Sequence, residues 1–223
     1  MRARTAVPPA AIVSLDLRTH RQQTYPINDL QGLSPNGRRI AFVTRRGNEE
    51  FQLRASALDG SANRVLLRSP FPGYLAWPRW SPNGREIAFL GPYGLSLIPA
   101  GGGTPRTLST DADAAAWAPD SRRLAFPGEL EPSGSARLVV QNEDGSGRSV
   151  LGERRPIYSL SWAANGKRLL YSTDAPWEKE RDTGRIHAVD AAKSADWFSL
   201  EVSTLPGRTT GSSSRSSGAS RGV

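Results

Sequence analysis

Four short stretches of the chain alternate polar and apolar residues in nearly the same words: RRIAF from Arg38, REIAF from Arg85, RRLAF from Arg122 and KRLLY from Lys167. In the second, Ile87 and Phe89 fall on one side of an extended backbone and Glu86 and Ala88 on the other, the period-two pattern of a strand. A turn precedes each stretch: SPNG from Ser34 and again from Ser81, APDS from Ala118, AANG from Ala163. In the second copy Pro82 presets φ for the first central position, Asn83 suits the next, and Gly84 can take the left-handed conformation that closes a short hairpin. A large apolar residue stands before each turn: Leu33, Trp80, Trp117 and Trp162. The pattern predicts a β-hairpin written four times.

Each copy continues into a second hairpin. FQLRASA, the turn LDGSAN and RVLLRS follow the first copy; GLSLIPAGGGTPRTLS follows the second and ARLVVQNEDGSGRSVL the third. This makes four short strands per unit of about 40 residues, with no stretch of helical period in the repeats. A small sheet of this kind cannot bury both faces alone and must stack on its neighbours, the tryptophans filling the gaps between sheets. Radial stacking of four-stranded blades is a β-propeller, with Trp80, Trp117 and Trp162 expected to be buried between blades.

The phrases WSPNGREIAF and WAPDSRRLAF and their two relatives resemble the W-S-P-D-G-K-x-I-A-F signature of the WD-like propeller repeats of TolB and of the propeller domains of prolyl-oligopeptidase-type peptidases. The resemblance covers about residues 10–200, since AIVSLDLRTH and QQTYPI match the outer two strands of a preceding blade. It implies an all-β fold of four-stranded blades, about four and a half of them, an incomplete propeller where six blades are usual. The expected division is a flexible amino terminus over 1–9, TolB-like repeats over 10–202 (a half blade at 10–28, then 29–72, 73–112, 113–155 and 156–202), and an unstructured Ser/Gly/Arg tail over 203–223. Leu33 in place of Trp, Ser121 in place of the turn glycine and Ala164 in place of the turn proline depart from the signature, which predicts looser blades there. An incomplete ring leaves an apolar seam, so a homo-oligomer through that seam is expected ahead of closure by the amino-terminal strands.

Charge changes the picture little. The net charge is +8, but Arg2, Arg4, Arg18 and Arg21 against Asp16, and Arg208, Arg215 and Arg221 with no acid, place most of the excess at the ends. A phosphate-tracking groove needs cations clustered on a folded face, so no nucleic-acid partner is expected. Absence of cysteine removes disulfides, Cys-ligated zinc and thiol nucleophiles. No run is long enough for a membrane helix. The opening residues have the positive start of a signal peptide, but two prolines and Asp16 break the apolar stretch, so the default compartment is the cytoplasm; the resemblance leaves periplasm or exterior open.

Several strings imitate catalytic or metal motifs. DTG at 182–184 is the aspartic-protease triplet, but charged EKER precedes it, and a polar inter-strand loop is expected. NEDGSGRSVLGE, Asn142 to Glu153, fits part of a calcium loop; because EDGSG falls where LDGSAN falls in the first copy, a hairpin turn is expected and no metal. AGGGT from Ala100 lacks the lysine of a phosphate loop and is expected as a turn. No G-x-S-x-G elbow is present, and His20 and His187 have no companions at ligand spacing, so ordinary surface or packing roles are expected for both histidines. The expectation is a chain without enzyme activity and without a cofactor.

Loops on a rigid scaffold are the remaining place for function. Those joining an outer strand to the next inner strand are expected at SPFPGY (69–74), STDADA (109–114) and GERRPIY (152–158), bringing Phe71, Tyr74, Asp111, Asp113, Arg154, Arg155 and Tyr158 to one face. Aromatic and arginine residues are enriched in binding hot spots. The expected function is a TolB-like interaction module that binds a protein partner or small ligand at the channel mouth; the alternative is the substrate-gating propeller of a prolyl-oligopeptidase-type peptidase, detached or truncated.

Overall fold

A computed structural model describes residues 12–15, 18, 20, 22–25, 30–47, 50–70, 75–173, 183–191, 196–203 and 213–214. Among them every regular element is a strand. β1 (Ile12–Leu15) pairs antiparallel with β2 (Gln22–Tyr25) as a two-stranded sheet. The first four-stranded sheet is β3 (Leu30–Leu33), β4 (Arg39–Arg46), β5 (Glu50–Ala57) and β6 (Arg64–Pro70), in that order. The second is β7 (Ala76–Trp80), β8 (Glu86–Gly91), β9 (Gly94–Pro99) and β10 (Arg106–Ser109). The third is β11 (Ala116–Trp117), β12 (Arg123–Gly128), β13 (Ser135–Asn142) and β14 (Ser149–Pro156). The fourth is β15 (Ser159–Trp162), β16 (Arg168–Thr173), β17 (Thr183–Asp190) and β18 (Asp196–Ser203), with β19 (Ser213–Ser214) added at its edge. Nearest-neighbour antiparallel order throughout is the meander of a propeller blade. No helix among the described residues is long and apolar enough to cross a membrane.

Contacts divide the chain into two compact units, 1–92 with 96–106, and 93–95 with 107–223. The core of the first joins Ala41, Val43, Leu53 and Ala55 to Trp80, Ile87, Phe89 and Ile98. That of the second joins Ala125, Leu138, Val140 and Leu151 to Leu169, Tyr171 and Val189. The strict alternation expected of the inner stretches is not what burial shows: Ile87, Ala88, Phe89 and Leu90 are all buried, as are Ile40 to Val43 and Leu124 to Phe126. An inner strand covered on both faces needs apolar residues on both, and the alanine of each IAF or LAF stretch fills the second face where space is short.

The turns follow their chemistry. In the first copy Gly37 N–H donates to Ser34 O (2.8 Å), Ser34 Oγ–H donates to Asn36 Oδ1 (2.8 Å), and Arg39 N–H donates to Ser34 Oγ (2.9 Å). The second copy repeats this with Ser81, Asn83 and Glu86. Where serine gives way to Ala118, Asp120 does both jobs, accepting the N–H groups of Arg122 (2.8 Å) and Arg123 (3.1 Å) on one oxygen. Gly84 has φ 70° as its place requires, and Ser121, in the glycine position, is held at φ 61°.

Some expectations are corrected here. Trp80 is 7% exposed, but Trp117 and Trp162 are only half-buried. GERRP is strand: β14 runs to Pro156, Ala136 facing Arg155 and Ser135 facing Pro156. Thr183 and Gly184 of the DTG string open β17 instead of lying in a loop, and Asp182 lies outside the described residues. In the segment expected to be an unstructured tail, Ser213 and Ser214 pair with Leu200 and Ser199.

Candidate binding face

In the second unit, the segment after β10 meets the loop between β12 and β13. Asp111 accepts the Ser109 hydroxyl (2.7 Å) and the backbone N–H of Glu129 (2.5 Å). Those bonds, the serine's first, hold its carboxyl below the ordinary aspartate value against the opposing effect of burial. Glu129 is fixed at φ 56°, a conformation a side chain rarely adopts. Its carboxylate gathers three guanidinium groups: Arg148 at 3.3 Å, Arg154 at 3.5 Å and Arg137 at 3.6 Å. Arg154 also donates to the Glu129 carbonyl and pairs with Glu131 at 3.2 Å. The β13–β14 ladder shifts register by two residues between the pairs Leu138–Leu151 and Ala136–Arg155, and Arg154 lies within that irregularity.

Of the seven expected site residues, Asp111 and Arg154 are thus joined through Glu129. Asp113 is exposed as a residue, and partial desolvation of its carboxyl raises it above the usual value. Arg155 is half-buried in β14, and Tyr158 is 42% exposed with its N–H on Ser172 O (3.1 Å). Phe71 and Tyr74 lie outside the described residues. Sequence reasoning missed Glu129, Glu131, Arg137 and Arg148, and with them the exposed Leu130. It also missed Trp77 in the first unit, held at φ 50° where the β7–β8 ladder bulges between Ala76 and Arg79, and 52% exposed. The WP pair at 77–78 gave no warning of this, since proline favours extended backbone with negative φ in the residue before it.

The strings that imitated chemistry have structural roles. Asn142 N–H donates to Ser146 O (2.9 Å) and Ser146 N–H to Asp144 Oδ1 (2.8 Å), so Asn142 to Ser146 is the turn of the β13–β14 hairpin. His187 is buried in β17, stacked on Tyr171 (4.9 Å, 16°) and hydrogen-bonded through Nε2 to Thr173 Oγ1 (3.1 Å).

No protein-family profile matches the chain. Solved structures do. An oligogalacturonate lyase in complex with manganese superposes with TM-score 0.64 at 13% identity, over 84% of this chain and 58% of the lyase. TolB from Acinetobacter baumannii gives 0.56 at 17% identity, over 81% of this chain and 48% of TolB. A prolyl endopeptidase gives 0.54 at 16% identity, over 73% of this chain and 31% of the peptidase. The fold is a TolB-like β-propeller of four-stranded blades, and the chain spans less than two thirds of each of these structures. The expectation of a chain without enzyme activity does not stand: enzymes, a lyase foremost, share this fold. The lack of a serine elbow and of cysteine in these residues says nothing against catalysis on this scaffold.

Proposed function

We propose that this chain is a TolB-like propeller module, its repeats extending over 10–202, that binds a protein partner through the loops of the second unit carrying Asp111, Asp113, Arg154, Arg155 and Tyr158. The observation that carries the proposal is the Glu129 cluster. A backbone strain of order 1–3 kcal/mol is retained at an exposed loop where it orders three arginines beside Leu130, and strained loop residues concentrate at functional sites. Arginine is enriched in binding hot spots, and arginines held in place before binding lose less freedom on it. The test is capture of a partner on immobilised chain, followed by its loss on Arg154→Glu and Tyr158→Ala but not on Arg106→Glu, which changes a surface charge of the first unit. Equal retention by all three variants contradicts the proposal.

The second reading is the propeller domain of a peptidase. The match to a prolyl endopeptidase over 31% of that protein favours it. A coding sequence for a G-x-S-x-G domain continuous with this one supports the peptidase reading; unrelated flanking sequence removes it.

A further inference from the structure

Two repeats use an arginine in the same way, and only one of them supplies it with an anion. Arg123 lies over the Trp162 ring (5.0 Å to the centroid), its NH2 donates to Gly166 O (3.1 Å), and its Nε donates to Asp120 Oδ2 at 2.8 Å. Arg39 occupies the equivalent place in the first unit, over the Trp80 ring at 4.9 Å. The residue equivalent to Asp120 is there Asn36, whose oxygen is taken by Ser34 Oγ–H and Arg38 N–H. Arg39 is left with one long bond to Ala100 O (3.4 Å), a carbonyl it shares with Arg64 (2.9 Å). Among the described residues neither arginine meets a carboxylate. Burial and then the neighbouring Arg64 charge both disfavour the charged form of Arg39.

Beside this guanidinium the two SPNG turns stand apart and leave a cleft of about 250 Å³, lined by Ser34, Asn36, Arg39, Trp80, Asn83 and Gly84. The cleft offers a planar fork of donors backed by an indole, with a second cation close by and no acid among its lining residues. A guanidinium fork matches a carboxylate in two parallel hydrogen bonds. We propose that the cleft is a binding site for a small carboxylate-bearing molecule, whose carboxylate takes the place beside Arg39 that Asp120 holds beside Arg123.

Calorimetric titration of the full chain with acetate, succinate and benzoate at low ionic strength, with chloride as the control salt, tests this. The expected result is saturable binding of at least one carboxylate. Arg39→Lys weakens it by about tenfold or more, because a point charge lacks the fork. Asn36→Asp abolishes binding while circular dichroism remains that of the wild type, because the chain then supplies its own carboxylate. Three outcomes overturn the proposal: no binding heat up to about 50 mM of any of the three, at the weak limit of measurable affinity; wild-type affinity in Asn36→Asp; or inorganic phosphate binding more than about tenfold tighter than every carboxylate.

Discussion

The guanidinium of Arg123, in the third sheet, sits 5.0 Å from the centre of the Trp162 ring, in the fourth, so that a charged side chain lies over the indole face. The indole is half-buried but tied at its edge, Nε1–H donating to Ala116 O at 3.1 Å. Trp80, under Arg39, is almost wholly buried. Trp80→Ala is therefore expected to cost about 3–5 kcal/mol in urea unfolding, and Trp162→Ala less. Trp162→Phe removes the edge bond together with one ring of the indole and should cost about 1–2 kcal/mol. Leu33, more than half exposed at the equivalent position, should cost under about 1 kcal/mol as alanine.

Gly94 provides a backbone prediction. A Cβ there would lie 2.2 Å from Ser109 O and 2.8 Å from the Thr110 Cα, and the residue has φ +94°. Gly94→Ala should destabilise by at least about 2 kcal/mol, whereas Gly60→Ala, with the same sign of φ but open space around it, should cost only about 1–2 kcal/mol. Equal midpoints for the two variants would refute the close approach of Gly94 to the segment after β10.

Asp111 and Asp113, two residues apart, should respond to pH with opposite sign. The carboxyl of Asp111 is lowered by folding, so its stabilisation is present above the unfolded value of about 4 and is lost as pH falls through the folded value. That of Asp113 is raised by folding, so it penalises the native state at neutral pH, and the penalty disappears as pH falls through its folded value. Asp111→Asn should lower the melting temperature at pH 7 and Asp113→Asn should raise it. Both differences should shrink toward pH 3.

Glu129→Gly removes the strain at φ 56° together with the carboxylate on which three arginines converge. Exposed ion pairs contribute about 0–1 kcal/mol each, comparable to the strain relieved, so the midpoint of unfolding should move by less than about 1 kcal/mol. Partner capture should nevertheless fall, because the arginines lose their common anchor. A variant that is much less stable and binds unchanged would assign Glu129 a purely structural role.

What could be read from the sequence was what short-range chemistry decides. Pro82, Asn83 and Gly84 carry their backbone preferences with them, and the IAF stretches recur in register, so hairpins, four-stranded sheets and the propeller were legible. Gly152 to Pro156 was not: charge and proline suggested a loop, and only pairing with Ser135 and Ala136 makes it strand. The half-burial of Trp162 depends on an arginine 39 positions away in the chain, and the bulge that holds Trp77 at positive φ has no local signature. The Glu129 cluster was hidden for the same reason. Its acid and three arginines are scattered over residues 129–154, and the β13–β14 offset that gathers them leaves no periodic trace.

The most direct test of the loop-face account is hydrogen–deuterium exchange of the chain, free and with its captured partner bound. The account predicts slower exchange on binding in peptides covering 109–114, 128–135 and 152–158, with the hairpin turn at 142–146 unchanged. Protection confined to that turn, or none in the three segments, would contradict it.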